Sequence, residues 1–233
     1  MAENNNLITN FFQILSKIKE REIKAVIFSF LFVVVLMTAY YILRPVRDAM
    51  ASDWTDAEVS LLWTLNFFIS AGIVALYGAA VSKFRFRLLV PIMYGIFALS
   101  FVIFYFLGSI SEDRILIDKA FYVWVSVFSL FHISIFWSFM SELFTKEQSG
   151  RLFGIIAAGA SIGGLIGPSI TALFSVSLGI DSLMLIGSMM LLIPIPIIFY
   201  LQLLKTTDLN NGTSDLPPTN QPIGGNPNTL YFS

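Results

Sequence analysis

The chain has 233 residues, of which 56% are hydrophobic and only 12% charged, and its formal net charge is −1. Soluble domains have about 45–50% apolar and about 25% charged residues, so this composition predicts an integral membrane protein that lies in a lipid bilayer. The near-neutral charge argues against a nucleic-acid partner. With no cysteine and one histidine, disulfides, thiol chemistry and metal sites built from several imidazoles are excluded.

The N-terminal segment, residues 1–24, precedes the first long apolar run. It spaces Leu7, Phe11, Leu15 and Ile18 along one helical face, with lysines and glutamates gathered towards its end. This pattern is typical of an amphipathic helix that lies on a membrane surface. We therefore predict an interfacial segment on the cytoplasmic side.

Residues 25–204 contain runs long enough to cross a bilayer. A helix that spans ~30 Å of hydrocarbon needs about 20 mostly apolar residues. These runs are too long and too evenly apolar for strands of an outer-membrane barrel, which alternate over about 10 residues. The sequence therefore predicts an all-α membrane protein with six transmembrane helices. The predicted spans are 25–43, 59–81, 88–110, 120–141, 152–178 and 182–204.

The first span has a second interpretation, a cleaved signal peptide, because small residues follow at positions 49–51. Its apolar run exceeds the 7–15 residues usual for such a peptide, and two arginines precede the small residues, so we favour a retained helix.

The distribution of positive charge then sets the orientation. Ten of the 14 Lys and Arg residues fall on the side of the bundle that carries both termini. The positive-inside rule places both termini in the cytoplasm, and we expect a bacterial inner membrane. Residues 205–233, rich in Asn, Pro, Gly and Thr, are predicted to be a flexible tail.

The first span ends in the charged stretch "RPVRDAM". Arg44, Arg47 and Asp48 are three or four residues apart, so a continuing helix places them on one side. Pro45 predicts a kink or break at this point. Two guanidinium groups suit a carboxylate or phosphate through paired hydrogen bonds, so we predict a site for a small anionic solute. The alternative is that the arginines only anchor this helix end at the membrane surface.

Three further polar residues lie within or at the end of predicted spans and are candidates for substrate contact. Asn66 shares a helix face with Trp63 and Ser70, and either contacts the solute or hydrogen-bonds a neighbouring helix. His132, near the middle of the fourth span, either carries a proton or is a packing residue. Glu142 ends that span, where it faces water, pairs with Arg151 or lines the inner mouth of a pathway.

The fifth span is rich in glycine. Gly159, Gly163 and Gly167 are four residues apart, which leaves one helix face nearly without side chains and predicts close packing against a second helix. Pro168 follows directly and is expected to bend the helix. A moving hinge or sliding face at this position is the functional alternative to static packing.

The spacing Gly154, Gly163, Gly167-Pro168 resembles the antiporter signature on the fifth helix of the major facilitator superfamily. The loop "GAAVSKFRFR" is similar to the basic loop between the second and third helices of that superfamily. It retains Gly78, Lys83 and Arg87, whereas serine and arginine stand where the family has an acid and a glycine. The resemblance implies one six-helix half of a major facilitator fold, with gating or packing roles for these residues.

A narrower resemblance joins "YYILRPVRDAM" to "FWSFMSELFTKEQSGRLFGIIAAGASIGG". Both stretches are similar to the nucleotide (ATP/ADP) translocase family and its bacterial relatives. That resemblance places Arg47 and Asp48 in the substrate pathway and implies a nucleotide or another phosphorylated metabolite as the solute.

The leading hypothesis is one half of a secondary transporter that exchanges an organic anion by alternating access. Such a protein binds its solute between two six-helix halves, so a second half is the expected partner. A fragment of a longer protein, a half that pairs with itself or with a second polypeptide, and a degenerate remnant all remain open. The alternative function is a non-transporting membrane subunit. We do not expect an enzyme or a cofactor, since no metal cluster, phosphate-binding loop or nucleophile–base pair stands out in the sequence.

Overall fold

The computed structural model describes residues 18–83, 86–111 and 113–209, and this part of the chain is built from helices. The predicted amphipathic segment up to residue 17 and the tail from residue 210 lie outside it. A 3₁₀ turn at Glu20–Glu22 leads into the first helix, and a π-helical turn at Lys205–Leu209 follows the last. The helices are α1 (Ile23–Met50), α2 (Asp56–Lys83), α3 (Phe86–Ile110), α4 (Ile115–Leu143), α5 (Lys146–Met190) and α6 (Pro194–Leu204).

Five helical segments of the described chain are long and apolar enough to cross a membrane. Four of them match the first four predicted spans. Helices α1 and α4 extend beyond the predicted limits at both ends. The fifth segment, Lys146–Leu209, contains both of the last two predicted spans. All-helical membrane architecture is therefore confirmed, whereas the separate sixth span stays a prediction.

The helical path of the fifth segment is interrupted at Gly179. Its φ of 78° and ψ of 165° leave the helical region, and it is the only described residue with positive φ. Contacts on either side show that the chain reverses there. Gly167 lies against Tyr41 of α1, whereas Gly187, further along the chain, is again level with Leu43 and Ala39. The residues after Gly179 therefore run back along the bundle.

The substitution Gly179→Ala tests this reversal. A φ of 78° combined with a ψ of 165° is a conformation that essentially only glycine adopts, so a side chain there adds about 1–3 kcal/mol of strain. We expect a lower thermal unfolding temperature for the detergent-purified chain, although nothing lies within 4 Å of the added Cβ. An unchanged unfolding temperature would show that the backbone does not hold this conformation.

Contacts between residues that are far apart in the sequence show the direction in which each helix runs. Glu22 before α1 meets Arg151 at the start of α5, and Arg87 at the start of α3 meets Gln202 at the end of α6. At the opposite end, Glu58 of α2 pairs with Lys119 of α4. Helices α1 to α4 and the first part of α5 therefore alternate in direction, and α6 continues the path that returns from Gly179. This brings the end of α1 and the start of α2 to the same end of the bundle.

The centre of the bundle is an aromatic core around α1 and α4. Phe32 of α1 contacts Tyr94 and Phe136 edge-on, with ring centroids 5.6 and 5.0 Å apart. Edge-to-face pairs of this kind add about 0.5–1.5 kcal/mol beyond the burial of their area. The largest fully buried aromatic residues are Phe32, Tyr94, Phe97, Phe101, Phe121, Phe128 and Phe136.

The glycine face of α5 packs directly on α1. A Cβ added at Gly159 would lie 2.8 Å from a methyl group of Val33, and one at Gly163 would lie 2.5 Å from the carbonyl oxygen of Val34. Gly167 is equally close to Tyr41. The prediction of close packing on this face is confirmed, and side chains larger than hydrogen have no room between the two backbones.

Neither Pro45 nor Pro168 ends its helix, and the predicted bend at Pro168 stays a prediction. Helix α1 continues through Pro45 to Met50, so the predicted break is absent. Helix α5 likewise continues through Pro168, which is exposed. The carbonyl oxygen of Tyr41 loses its usual donor at Pro45, but the packing of α1 against α5 on this side maintains the helical path.

Helix α2 is the least buried of the helices. Its large apolar side chains point outward, and its contacts are mainly with α4, through Trp63 and Tyr77. Of the face predicted for this helix, Trp63 therefore meets α4, and Ser70 is buried. The exposed apolar residues are Leu61, Leu65, Phe67, Phe68, Ile69, Val74 and Leu76.

Candidate functional site

The candidate site is built around Arg47 near the end of α1. Its Nε and Nη2 donate to Asp48 Oδ1 at 2.9 and 2.6 Å, and Nη1 donates to Ser126 Oγ of α4 at 3.1 Å. Its guanidinium carbon lies 5.1 Å from the centroid of the Tyr122 ring. Only 16% of the side chain is exposed, so Arg47 is held between α1 and α4 and does not extend into solvent.

Arg44 and Asp48 form the open side of this cluster. Each side chain is 49% exposed, and Arg44 Nε lies 3.8 Å from Asp48 Oδ2. The structure therefore brings together the three residues that the spacing placed on one side of the helix. Two arginines and one aspartate leave an excess of one positive charge, and Arg47 still has N–H groups to offer. A guanidinium has five N–H donors, of which three have acceptors among the described residues.

Tyr122 connects the cluster to α2 and to the loop before it. Its hydroxyl accepts a 2.8 Å hydrogen bond from Trp63 Nε1, and its ring meets the Trp54 ring at a centroid distance of 5.6 Å. Lys119, one turn earlier on α4, lies 5.9 Å from the Trp54 ring and pairs with Glu58 at 2.7 Å. Aromatic and charged side chains from three elements thus meet on the first turns of α4.

Asn66 and His132 lie deeper in the bundle, apart from the arginine cluster. Asn66 accepts a 3.3 Å hydrogen bond from Ser70 on its own helix. His132 is 4% exposed, its Nδ1 lies 3.1 Å from the carbonyl oxygen of Phe128, and its ring stacks on Tyr40 at 4.3 Å. The His132 Nε2 has no hydrogen-bond partner among the described residues. These contacts suit a packing role, and neither residue shares a described contact with Arg47.

Glu142 and the basic-loop residues lie at the opposite end of the bundle. Lys205 donates to the Glu142 carboxylate at 2.8 Å and to its carbonyl oxygen at 2.6 Å. Arg87 donates to Gln202, which returns a hydrogen bond to the Arg87 carbonyl oxygen at 2.8 Å. Lys83 ends α2, and its side chain lies outside the described part of the structure. The predicted site residues thus separate into an Arg47 cluster at one end and a group at the other.

The glycines of the two signatures differ in their surroundings. Gly159, Gly163 and Gly167 contact α1, as described above. Gly154 and Gly78 have nothing within 4 Å of an added Cβ, so neither is required for packing within the described chain. A gating role for these two positions stays a prediction.

Two charged clusters were not found from the sequence. Glu22, with no exposed surface, accepts hydrogen bonds from both Nη atoms of Arg151 at 3.2 and 3.0 Å and from Gln148 at 3.2 Å. At the other end, Arg114 donates two hydrogen bonds to Asp181, which raise the pKa of this guanidinium above its ordinary value. The partners are more than 60 residues apart in the chain, and no local spacing signals such pairs.

Comparison with known families decides the class of the protein. The profile of the major facilitator superfamily matches residues 27–225, which is most of the chain. The chain belongs to the major facilitator superfamily. Neither the curated proteins nor the solved structures contain a match. Members of this superfamily are membrane transporters and not enzymes. The superfamily resemblance seen in the sequence is therefore confirmed, whereas the narrower resemblance to nucleotide translocases stays a prediction.

Proposed function

We propose that this major facilitator chain is one half of a secondary transporter that exchanges an organic anion by alternating access. The observation that carries the proposal is the Arg47 cluster. A guanidinium that is 16% exposed, held in position and part of a cluster with one excess positive charge attracts an anion more strongly than an arginine that extends into water. Two of its five N–H groups are available, which is the number a carboxylate or phosphate uses in a paired contact.

A solute anion would approach from the side of Arg44 and Asp48, because these side chains are half exposed. Asp48 competes for Arg47, so binding requires the carboxylate to shift or the anion to share the guanidinium with it. The same aspartate partly neutralises the cluster when no solute is bound. The resemblance to nucleotide translocases favours a nucleotide or another phosphorylated metabolite.

The proposal includes six spans with both termini in the cytoplasm of a bacterial inner membrane. The reversal at Gly179 supports two spans within the fifth helical segment. The excess of Lys and Arg at the end of the bundle that holds Glu22 and Lys205 supports the orientation. We further propose that the exposed side of α2 contacts a second six-helix half, since α2 has few contacts within this chain.

Removal of Arg47 tests the anion site. In Arg47→Ala we expect the anion to bind at least tenfold more weakly, because the paired hydrogen bonds and the one excess positive charge of the cluster are lost. Arg44→Ala should have a smaller effect, since that side chain is half exposed.

The measurement is the thermal shift of the purified chain with ATP, ADP, inorganic phosphate and citrate. The control is Arg21→Ala, an exposed arginine at the other end of the bundle. Equal shifts for Arg47→Ala and the control would rule out this site.

A non-transporting membrane subunit is the second candidate. One observation favours it: the hydrogen bonds from Arg47 to Asp48 give the helix end an internal ion pair without any solute. Uptake of the radiolabelled anion is measured in cells in which the second half is present together with the chain. A transporter half gives uptake that Arg47→Ala abolishes, whereas with a non-transporting subunit the uptake does not depend on Arg47.

A further inference from the structure

Tyr122 is only 7% exposed and has neighbours on several sides. One side of its ring faces the Arg47 guanidinium, whose carbon lies 5.1 Å from the ring centroid. Its hydroxyl accepts from Trp63 Nε1 at 2.8 Å, and its ring lies against Trp54. A single side chain on α4 therefore contacts the arginine of α1 and the indole of α2 at the same time.

The contact with Arg47 restricts the orientation of the guanidinium. A cation over an aromatic face is attracted to the ring, and this attraction is larger where water is excluded. Ser126, four residues after Tyr122, accepts from the same guanidinium at 3.1 Å. Helix α4 thus restricts Arg47 through two contacts, the Tyr122 ring and the Ser126 hydroxyl.

The contact with Trp63 depends on where α2 lies. Trp63 is 65% exposed, so little packing other than this hydrogen bond holds its indole. Among the described residues, α2 also contacts α4 through the Glu58–Lys119 ion pair, and Glu58 lies just over one turn before Trp63 on α2. A shift of α2 along α4 would remove the only side-chain hydrogen bond that the structure gives to the Tyr122 hydroxyl. A buried phenol that loses its partner tends to change position in order to find another.

We propose that Tyr122 is a positioning residue that orients Arg47, and that Trp63 makes this orientation depend on the place of α2. The inference rests on the proposed function in that Arg47 is the group that receives the anion. Movement of α2 would then change the orientation of Arg47, and with it the affinity for the anion, without any contact between α2 and the solute. Neither residue was singled out from the sequence for such a role.

The reaction of Arg47 with phenylglyoxal, followed by peptide mass mapping of the full chain, tests the positioning without a ligand. In Trp63→Phe, which keeps an aromatic ring but removes the N–H, we expect Arg47 to react about threefold faster. In Tyr122→Leu we expect about a tenfold increase. Arg44 contacts neither residue and should keep its rate in every variant. The matched control is Trp124→Phe, which loses an indole hydrogen bond to Ser100 on another side of α4.

Wild-type rates for Arg47 in both Trp63→Phe and Tyr122→Leu would overturn the proposal. If Tyr122→Leu does not fold, Trp63→Phe alone decides, because its ring is mostly exposed and its unfolding temperature should equal that of the wild type. Protection of Arg47 by inorganic phosphate is measured in the same samples. Faster reaction in the variants without phosphate protection in any sample would support the positioning while speaking against the anion site.

Discussion

Replacement of Gly163 by alanine is expected to lower the free energy of unfolding of the bundle by about 1–3 kcal/mol, and replacement by leucine to prevent folding. The added Cβ would lie 2.5 Å from the carbonyl oxygen of Val34, 2.7 Å from Met37 Cβ and 3.0 Å from the Thr38 nitrogen. Two of these atoms belong to the backbone and the third is attached directly to it, so no side-chain rotation relieves the clash. Helices α1 and α5 must separate, which weakens the dispersion contacts along their whole interface. Thermal unfolding of the detergent-purified chain measures the effect.

Gly154→Ala is the matched control on the same helix. Nothing lies within 4 Å of its added Cβ, and alanine is favoured over glycine by about 1 kcal/mol inside a helix. This variant should therefore be as stable as the wild type or slightly more stable. If Gly163→Ala and Gly154→Ala unfolded at the same temperature, the close approach of α1 and α5 would be wrong. A loss of stability in Gly154→Ala alone would instead indicate a contact at that position.

The glycine spacing predicted a close helix contact correctly, because a face without side chains has few other uses in a bilayer. It could not show that α1 is the partner, since that depends on how the chain folds back. Gly187 was missed for a related reason. A Cβ added there would lie 2.9 Å from the Leu43 side chain of α1, yet this glycine is isolated in the sequence and belongs to no repeating pattern.

The arginine cluster was predictable to the extent that it is local. Arg44, Arg47 and Asp48 lie within five consecutive residues, and helical periodicity alone places them together. Ser126 is 79 residues from Arg47 in the chain, and no spacing rule joins them. The pairing of Glu142 with Lys205, 63 residues later, was missed for the same reason. Helical periodicity predicts which residues share a face of one helix, whereas the fold decides which faces meet.

The same distinction explains Pro45. A proline inside a helix removes one donor and crowds the preceding turn, which in an isolated helix costs about 3 kcal/mol and favours a break. In the bundle, α1 is packed against several neighbours on both sides of this position, and Val46 directly after it is 1% exposed. Tertiary contacts of this kind stabilise the continuous helix, and they cannot be read from the local sequence.

The Glu22 carboxylate at the start of α1 has no exposed surface, although charged residues are rarely buried completely. Arg151, Gln148 and the backbone nitrogen of Lys19 all donate to it, at distances between 3.0 and 3.2 Å. This arrangement joins the beginning of α1 to the beginning of α5, at the opposite end of the interface from Gly167. The two helices are thus held by an ion pair at one end and by backbone contact along their length.

Arg151→Met is expected to lower the free energy of unfolding by about 3–5 kcal/mol, because it leaves the buried Glu22 carboxylate without its charged partner. The double variant Glu22→Gln with Arg151→Met should recover a large part of this loss, since two neutral groups need no ionic partner. The control is Lys19→Ala, which removes an exposed partner of Glu147 at 3.7 Å and should cost less than about 1 kcal/mol. Thermal and denaturant unfolding of the three variants measure these differences. A double variant no more stable than Arg151→Met would show that Arg151 contributes through its packing and not through its charge.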